Sequence, residues 1–221
     1  MARGRLVVLE GPDGAGKTTQ VRRLVDWLRS RGGDVVSVRE PGGTSLGDEI
    51  RRLLLDPASD IVPPAEALLY MASRAQLVTR EIEPALARGA VAVIDRFFLA
   101  TYAYQGAGRG LPEDDLRVAN RLATNGIIPD LTILLSMSRE EGLARAKARS
   151  GHDRMEQADA AFHDRVASAY ESFTAPGWAR AHPECGPIVL VDASGSEADV
   201  FARIVEALYS RWPESFPEKT S

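Results

Sequence analysis

The chain has 221 residues, 44% of them hydrophobic and 26% charged, which suits one globular domain able to bury a substantial core. Its net charge of -4 argues against wholesale binding to nucleic acid and leaves room for basic residues gathered in a local pocket. The single cysteine, Cys185, excludes an intramolecular disulfide and a cysteine-held metal, and fits a reducing cytoplasm.

In chain order, the start carries Arg3 and Arg5, but its apolar run breaks at Glu10, so it does not read as a signal peptide. No stretch approaches the roughly 20 apolar residues that span a bilayer, so no membrane partner is expected. Short β-branched runs recur at Leu6–Leu9, Val35–Val38, Val91–Ile94, Leu131–Leu135 and Ile188–Val191, with helix-period segments between them. That alternation predicts an α/β fold, a parallel five-stranded sheet with helices on both faces. Val21, Leu24, Val25 and Leu28 share one helix face, closed by Gly32 and Gly33. Ala65 to Arg88 reads as one long or kinked helical segment with Pro84 near its end. Pro112 opens a further helix that ends at Asn125-Gly126, and Ser138 with Glu141 forms a capping-box pattern before Leu143 to Arg149. Residues 1–212 read as one domain, and the polar, proline-punctuated 213–221 as a loose tail.

The stretch from Gly11 to Thr18, Gly-Pro-Asp-Gly-Ala-Gly-Lys-Thr, fits the pattern G-x-x-x-x-G-K-[ST] between a predicted strand and a helix. Glycines there let backbone N–H groups turn inward around phosphate oxygens, and the helix N-terminus adds positive potential. Lys17 is placed to reach the β- and γ-phosphates of a nucleoside triphosphate, and Thr18 to offer its hydroxyl to Mg2+. A base-reading N-K-x-D segment is absent, which argues against a GTPase switch. Asp13 inside the loop is repelled by phosphate and is expected to face hydroxyl donors or cations, such as those of a second substrate.

Asp95 and Arg96 stand at the carboxyl end of a predicted central strand, the edge where open parallel sheets bind ligands. Arg96 can fork onto a phosphate and Asp95 can hold Mg2+ through water; a structural ion pair at a strand end is the plainer reading. Tyr70 and Arg74, four apart on one helix face, can stack on and donate to a base, or make an ordinary surface contact. Between Ala144 and Gln157, Arg145, Lys147, Arg149 and Arg154 surround Ser150-Gly151, either as a solvated basic face or as a lid over phosphates at about 144–157. His152, His163 and His182 lack metal-ligand spacing and read as surface residues. Phe162, Val166, Tyr170 and Phe173 recur at helical spacing and read as mostly core.

The loop EGPDGAGKTT, then REPGGT at Arg39–Thr44, SRAQL at Ser73–Leu77, DRF at Asp95–Phe97, AYQGAGRG at Ala103–Gly110 and DRMEQ at Asp153–Gln157 occur in the order seen in bacterial thymidylate kinases. The chain resembles that family from about Arg5 to Tyr209. The resemblance implies a P-loop nucleoside monophosphate kinase that uses ATP and Mg2+ to convert dTMP to dTDP, as a cytoplasmic homodimer that binds no nucleic acid. It implies that Gly11, Pro12, Asp13, Gly14, Ala15, Gly16, Lys17, Thr18 and Thr19 hold ATP, with Ala193 and Ser194 near adenine, and that Thr18 and Asp95 serve the metal. It places Asp13 near the dTMP 3′-hydroxyl and Arg96 on the acceptor phosphate. Arg51, Tyr70, Arg74, Thr101, Tyr104, Gln105 and Tyr170 then line the acceptor site, with Tyr70 where phenylalanine is common and Ala100 where serine is frequent. Some members carry an arginine in the loop directly after the acid; here that residue is Gly14, so Arg149 and Arg154 are expected to supply the charge from the lid, with Arg145 and Arg165 as lesser candidates and Glu156 as an orienting acid. The alternatives left open are a kinase for another nucleotide or a deoxynucleoside, and a nucleotide-binding regulatory module without turnover.

Overall fold

The computed structural model describes residues 3–137, 141–142 and 153–214. Five strands, β1 (Arg5–Glu10), β2 (Val35–Arg39), β3 (Val91–Asp95), β4 (Leu131–Ser136) and β5 (Ile188–Asp192), form a single parallel sheet in the order β2-β3-β1-β4-β5. Each covers the apolar run expected from the sequence and extends it by a residue or two. Both faces of the sheet are covered, which is why the strands read as apolar runs rather than as alternations. Leu6 and Val8 of β1 point into one core layer with Ile94, Leu77, Phe97 and Phe162, whereas Val7 and Leu9 point into the other with Leu24, Leu28, Ile204 and Leu208.

Helix α1 (Lys17–Arg29) and the final helix α9 (Glu197–Arg211) pack together on the second layer. Further helices are α2 (Ser45–Leu55), α3 (Pro63–Leu77), α4 (Glu83–Ala87), α5 (Phe98–Thr101), α6 (Glu113–Thr124), α7 (Ala160–Ser172) and α8 (Pro176–Ala181). The kink expected before Arg88 is a π-helical turn, Val78–Ile82, joining α3 to α4. Pro84 lacks the N–H that would bond to the carbonyl of Arg80, and the Glu83 N–H reaches back to Val78 instead. A second π-helical run, Tyr102–Gly108, continues α5; the aromatic and glycine composition there hid the helix from a reading of periodicity.

Strand register places Leu9 and Arg39 level with Asp95. The carboxyl ends of three adjacent strands therefore open at one height, and the glycine loop, the Glu40-Pro41 segment and Arg96 leave from that edge. The capping box led by Ser138, most of the basic lid and the end of the tail lie outside the described residues.

Candidate active site

The glycine loop joins β1 to α1 through positive φ angles at Gly11 (141°), Gly14 (83°) and Gly16 (82°). A side chain at Gly11 would put its Cβ 2.5 Å from the Leu135 carbonyl oxygen. Gly16 starts α1 with no side-chain cap and no acid in the first turn, whereas Thr44, Asp159 and Ser196 cap α2, α7 and α9. The first-turn N–H groups of α1 thus have no side-chain acceptor, which is the condition for an anion site. Lys17 is buried and donates to the carbonyls of Gly11 (2.9 Å) and Pro12 (2.8 Å), folded over the loop. Burial, reinforced by the Arg96 charge, brings its pKa down to about 8 against the pull of Asp13, Asp95 and Glu10. Thr18 donates its hydroxyl to Asp95 Oδ2 at 2.7 Å, so a hydroxyl and a carboxylate meet beside the loop.

Opposite the loop, Arg96 sits at φ 68°, a left-handed conformation rare for a side-chain-bearing residue. Its Nη1 donates to Gly11 O (3.2 Å) and the Tyr170 hydroxyl (3.0 Å); its Nη2 donates to Asp13 Oδ1 and the Tyr104 hydroxyl (3.2 Å). Tyr104 in turn donates to Asp13 Oδ2 at 2.6 Å. Partial burial works against ionisation of Asp13, but the charges of Arg96 and Lys17 and the Tyr104 hydrogen bond prevail and hold its pKa at about 2. The loop acid meets a cation and a hydroxyl, the two kinds of partner its position demanded. Burial raises the phenol pKa of both Tyr104 and Tyr170, so both enter this knot as neutral hydroxyls.

From this knot an open pocket extends under α3, enclosing about 690 Å³ with its mouth included. Asp13, Glu40, Pro41, Arg51, Tyr70, Arg74, Arg96, Ala100, Thr101, Tyr104, Gln105, Asp153 and Glu156 line it. Arg51 donates to the Pro41 carbonyl at 3.0 Å, across a cis Glu40-Pro41 peptide. Tyr70 stands on the wall with its hydroxyl pKa raised by burial.

Arg74 is placed less simply than spacing suggested. It is 2% exposed, and its five N–H groups are taken by Glu40, Thr101, Asn120 and the Phe97 carbonyl. To donate to a base it must give up one of these partners. Arg154 departs further from expectation. Its Nε donates to Leu54 O (2.8 Å) and its Nη2 to Glu66 Oε2 (2.7 Å), so its charge is held by a buried carboxylate of α3. The physical reason is Glu66, a carboxylate with no exposed surface that also accepts from Gln105 (2.9 Å) and Arg109 (3.2 and 3.0 Å). Arg165 binds the carbonyls of Ala107 and Gly108, securing the end of the second π-helical run. His182 is a second correction: it is 3% exposed, stacked on Trp178 and bonded to Glu113.

Glu66 and Glu10 escaped the sequence reading. The signal for Glu66 was an acid four residues before Tyr70 and eight before Arg74, hence on the pocket face of α3. Glu10, buried at the end of β1, accepts the N–H groups of Phe97 and Ala100. Ala193 is buried at the end of β5, its N–H bonded to Ser136 O at 2.7 Å. Arg145, Lys147, Arg149 and His152 lie outside the described residues. Among the described residues, no group of three or more His, Cys, Asp or Glu side chains is arranged for a metal, and no helix is long and apolar enough to cross a membrane.

The thymidylate kinase family model matches residues 9–204. A thymidylate kinase of Deinococcus radiodurans is 45% identical over 211 residues, covering 96% of this chain and 99% of the relative. One of Desulfosudis oleivorans is 48% identical over 210 residues, covering 91% and 95%. The crystal structure of thymidylate kinase from Ehrlichia chaffeensis superposes with a TM-score of 0.72 at 25% identity, covering 93% of this chain and 99% of that one.

Proposed function

The chain belongs to the thymidylate kinase family, and on that premise we propose that it transfers the γ-phosphoryl group of ATP to dTMP, giving dTDP and ADP. The observation that supports this reading is a glycine loop and an arginine, both suited to anions, at one sheet edge. The uncapped N-terminus of α1 faces a guanidinium, Arg96, that an acid and two phenols hold at the mouth of an open pocket.

Loop N–H groups hold the donor phosphates, and Lys17 exchanges the Gly11 and Pro12 carbonyls for phosphate oxygens. Arg96 forks onto the acceptor phosphate and turns one of its oxygens toward the γ-phosphorus. That oxygen bonds to phosphorus as the bond to the β,γ-bridging oxygen breaks, releasing ADP. The acceptor is already ionised at neutral pH, so no strong general base is needed. Asp13, kept ionised, accepts from the sugar 3′-hydroxyl. Tyr70 stacks on the base, Arg74 reads its edge at the expense of one internal partner, and Thr101, Tyr104, Gln105, Arg51 and Tyr170 complete the wall. Thr18 and Asp95 are hard oxygen donors in contact and would hold Mg2+, which would supply charge neutralisation for the donor phosphates. With glycine at position 14, Arg149 supplies the lid charge on the transferring group, while Arg154 stays with Glu66.

We assign a homodimer built on α2, α3 and α6. These helices pack side by side and leave Leu53, Leu68, Val118 and Leu122 half or more exposed, apolar area that a second copy would cover. We place the enzyme in the cytoplasm.

The deciding experiment is ADP release with ATP and Mg2+ against dTMP, dUMP, UMP, CMP, dCMP, GMP, AMP and thymidine. Turnover highest on dTMP is expected. Preference for another acceptor would keep the fold and overturn the base-pocket assignment, and ATP binding without any turnover would favour a regulatory module.

A further inference from the structure

Glu10 ends β1 directly before the glycine loop and has no exposed surface. Its Oε1 accepts the N–H of Phe97 at 2.7 Å and that of Ala100 at 3.1 Å, gripping the chain just after Arg96. Arg96 itself, at φ 68°, is anchored on the other side by its N–H to the Leu9 carbonyl at 3.0 Å. A conformation that disfavours a Cβ persists where its surroundings over-determine it, and these three amide bonds do so.

The second oxygen acts on the side chain. Glu10 Oε2 accepts from the Tyr170 hydroxyl at 3.4 Å, and the Tyr170 oxygen accepts from Arg96 Nη1 at 3.0 Å. A phenol has one proton. When the carboxylate takes it, the oxygen lone pairs are left facing the guanidinium. Burial pushes the Glu10 pKa up, and the Arg96 charge, the Phe97 and Ala100 N–H groups and Lys17 pull against it toward the carboxylate.

We propose that Glu10 is a positioning residue for phosphoryl transfer: it fixes the backbone of Arg96 through the Phe97 and Ala100 amides and aims the Arg96 guanidinium through Tyr170. It touches neither substrate. The assignment rests on the reading of Arg96 as the acceptor-phosphate arginine.

Glu10→Gln tests it, because the amide oxygen still accepts both backbone N–H groups while the NH2 donates to Tyr170 where the carboxylate accepted. The expected result is a loss of about ten-fold or more in kcat/KM for dTMP, with ATP affinity changed less than about two-fold. The thermal midpoint should not fall, since a buried charge has been removed. Tyr170→Phe, which leaves the backbone grip intact, should show the same acceptor-specific loss, and the double variant should be no worse than the more damaged single one. Wild-type kcat/KM in Glu10→Gln, fully multiplicative losses in the double variant, or a lowered midpoint with equal loss toward both substrates would each overturn the proposal. Independently of turnover, a crystal structure of Glu10→Gln should show the guanidinium turned from Tyr170; an unmoved Arg96 side chain would also overturn it. A wild-type enzyme inactive on dTMP would instead defeat the kinase reading, leaving that structure to decide the role of Glu10.

Discussion

Replacing Arg96 with alanine removes a guanidinium that now bonds to Asp13, Tyr104, Tyr170 and the Gly11 carbonyl and that is assigned to the acceptor phosphate. Two charge-assisted hydrogen bonds to a phosphate, at about 1.5–3 kcal/mol each, amount to roughly 3–6 kcal/mol of transition-state stabilisation. At about 1.4 kcal/mol per decade, kcat/KM for dTMP should fall roughly 10²- to 10⁴-fold. Stability should change little: the abandoned Asp13 side chain is 43% exposed and can resolvate, so the lost ion pair is worth at most about 1 kcal/mol. Arg96→Gly sharpens the test, because glycine accepts φ 68° without a Cβ; it should be at least as stable as Arg96→Ala and as inactive. Arg96→Lys keeps the charge but not the planar fork, and should fall between wild type and alanine. The assay is coupled ADP release with dTMP titrated, beside calorimetric ATP binding on the same samples. An alanine variant within ten-fold of wild type, or ATP affinity falling in step with turnover, would refute the reasoning.

Lys17, whose pKa is brought down to about 8, should impose an alkaline limb near pH 8 on kcat/KM for ATP, which reports the free enzyme; a profile flat to pH 9.5 would contradict it. Because that value lies below the unfolded value, the unfolded chain binds more protons between the two, and this group's contribution to stability should rise with pH through that window, as read by chemical denaturation. Glu66→Ala leaves Arg109 and Arg154 without their buried partner and should cost about 3–5 kcal/mol, or roughly 6–20 °C in Tm at this chain length; a fall under 3 °C by calorimetry would show the cluster to be dispensable. Gly108→Ala places a Cβ 2.5 Å from Phe162 Cε2 and 3.0 Å from Val166 Cγ2, and should destabilise by about 1–3 kcal/mol; an unchanged urea midpoint would mean that α7 yields freely there.

The sequence by itself determined the sheet and the glycine loop between its first strand and the first helix. Apolar runs spaced by helix-period segments can bury themselves in few ways, and the five strands lie where those runs do. The phosphate loop was legible because its glycines and its lysine are neighbours in the chain. Asp13 was legible as an acid that must look away from phosphate, and it meets Arg96 and Tyr104. What tertiary structure decided is which charges face one another across long chain separations. Arg154, inside the expected lid, read as a donor-side cation, but a buried carboxylate on α3 claims it. Arg74 read as a base-reading donor or a surface contact, but Glu40, Asn120, and Thr101 with Phe97 converge on it from three other segments. Glu10 looked like the end of an apolar run and holds the turn behind Arg96. Propensity and spacing act over a few residues, whereas a buried charge must be matched by whatever the fold brings within about 3 Å, and that neighbour is written elsewhere in the chain.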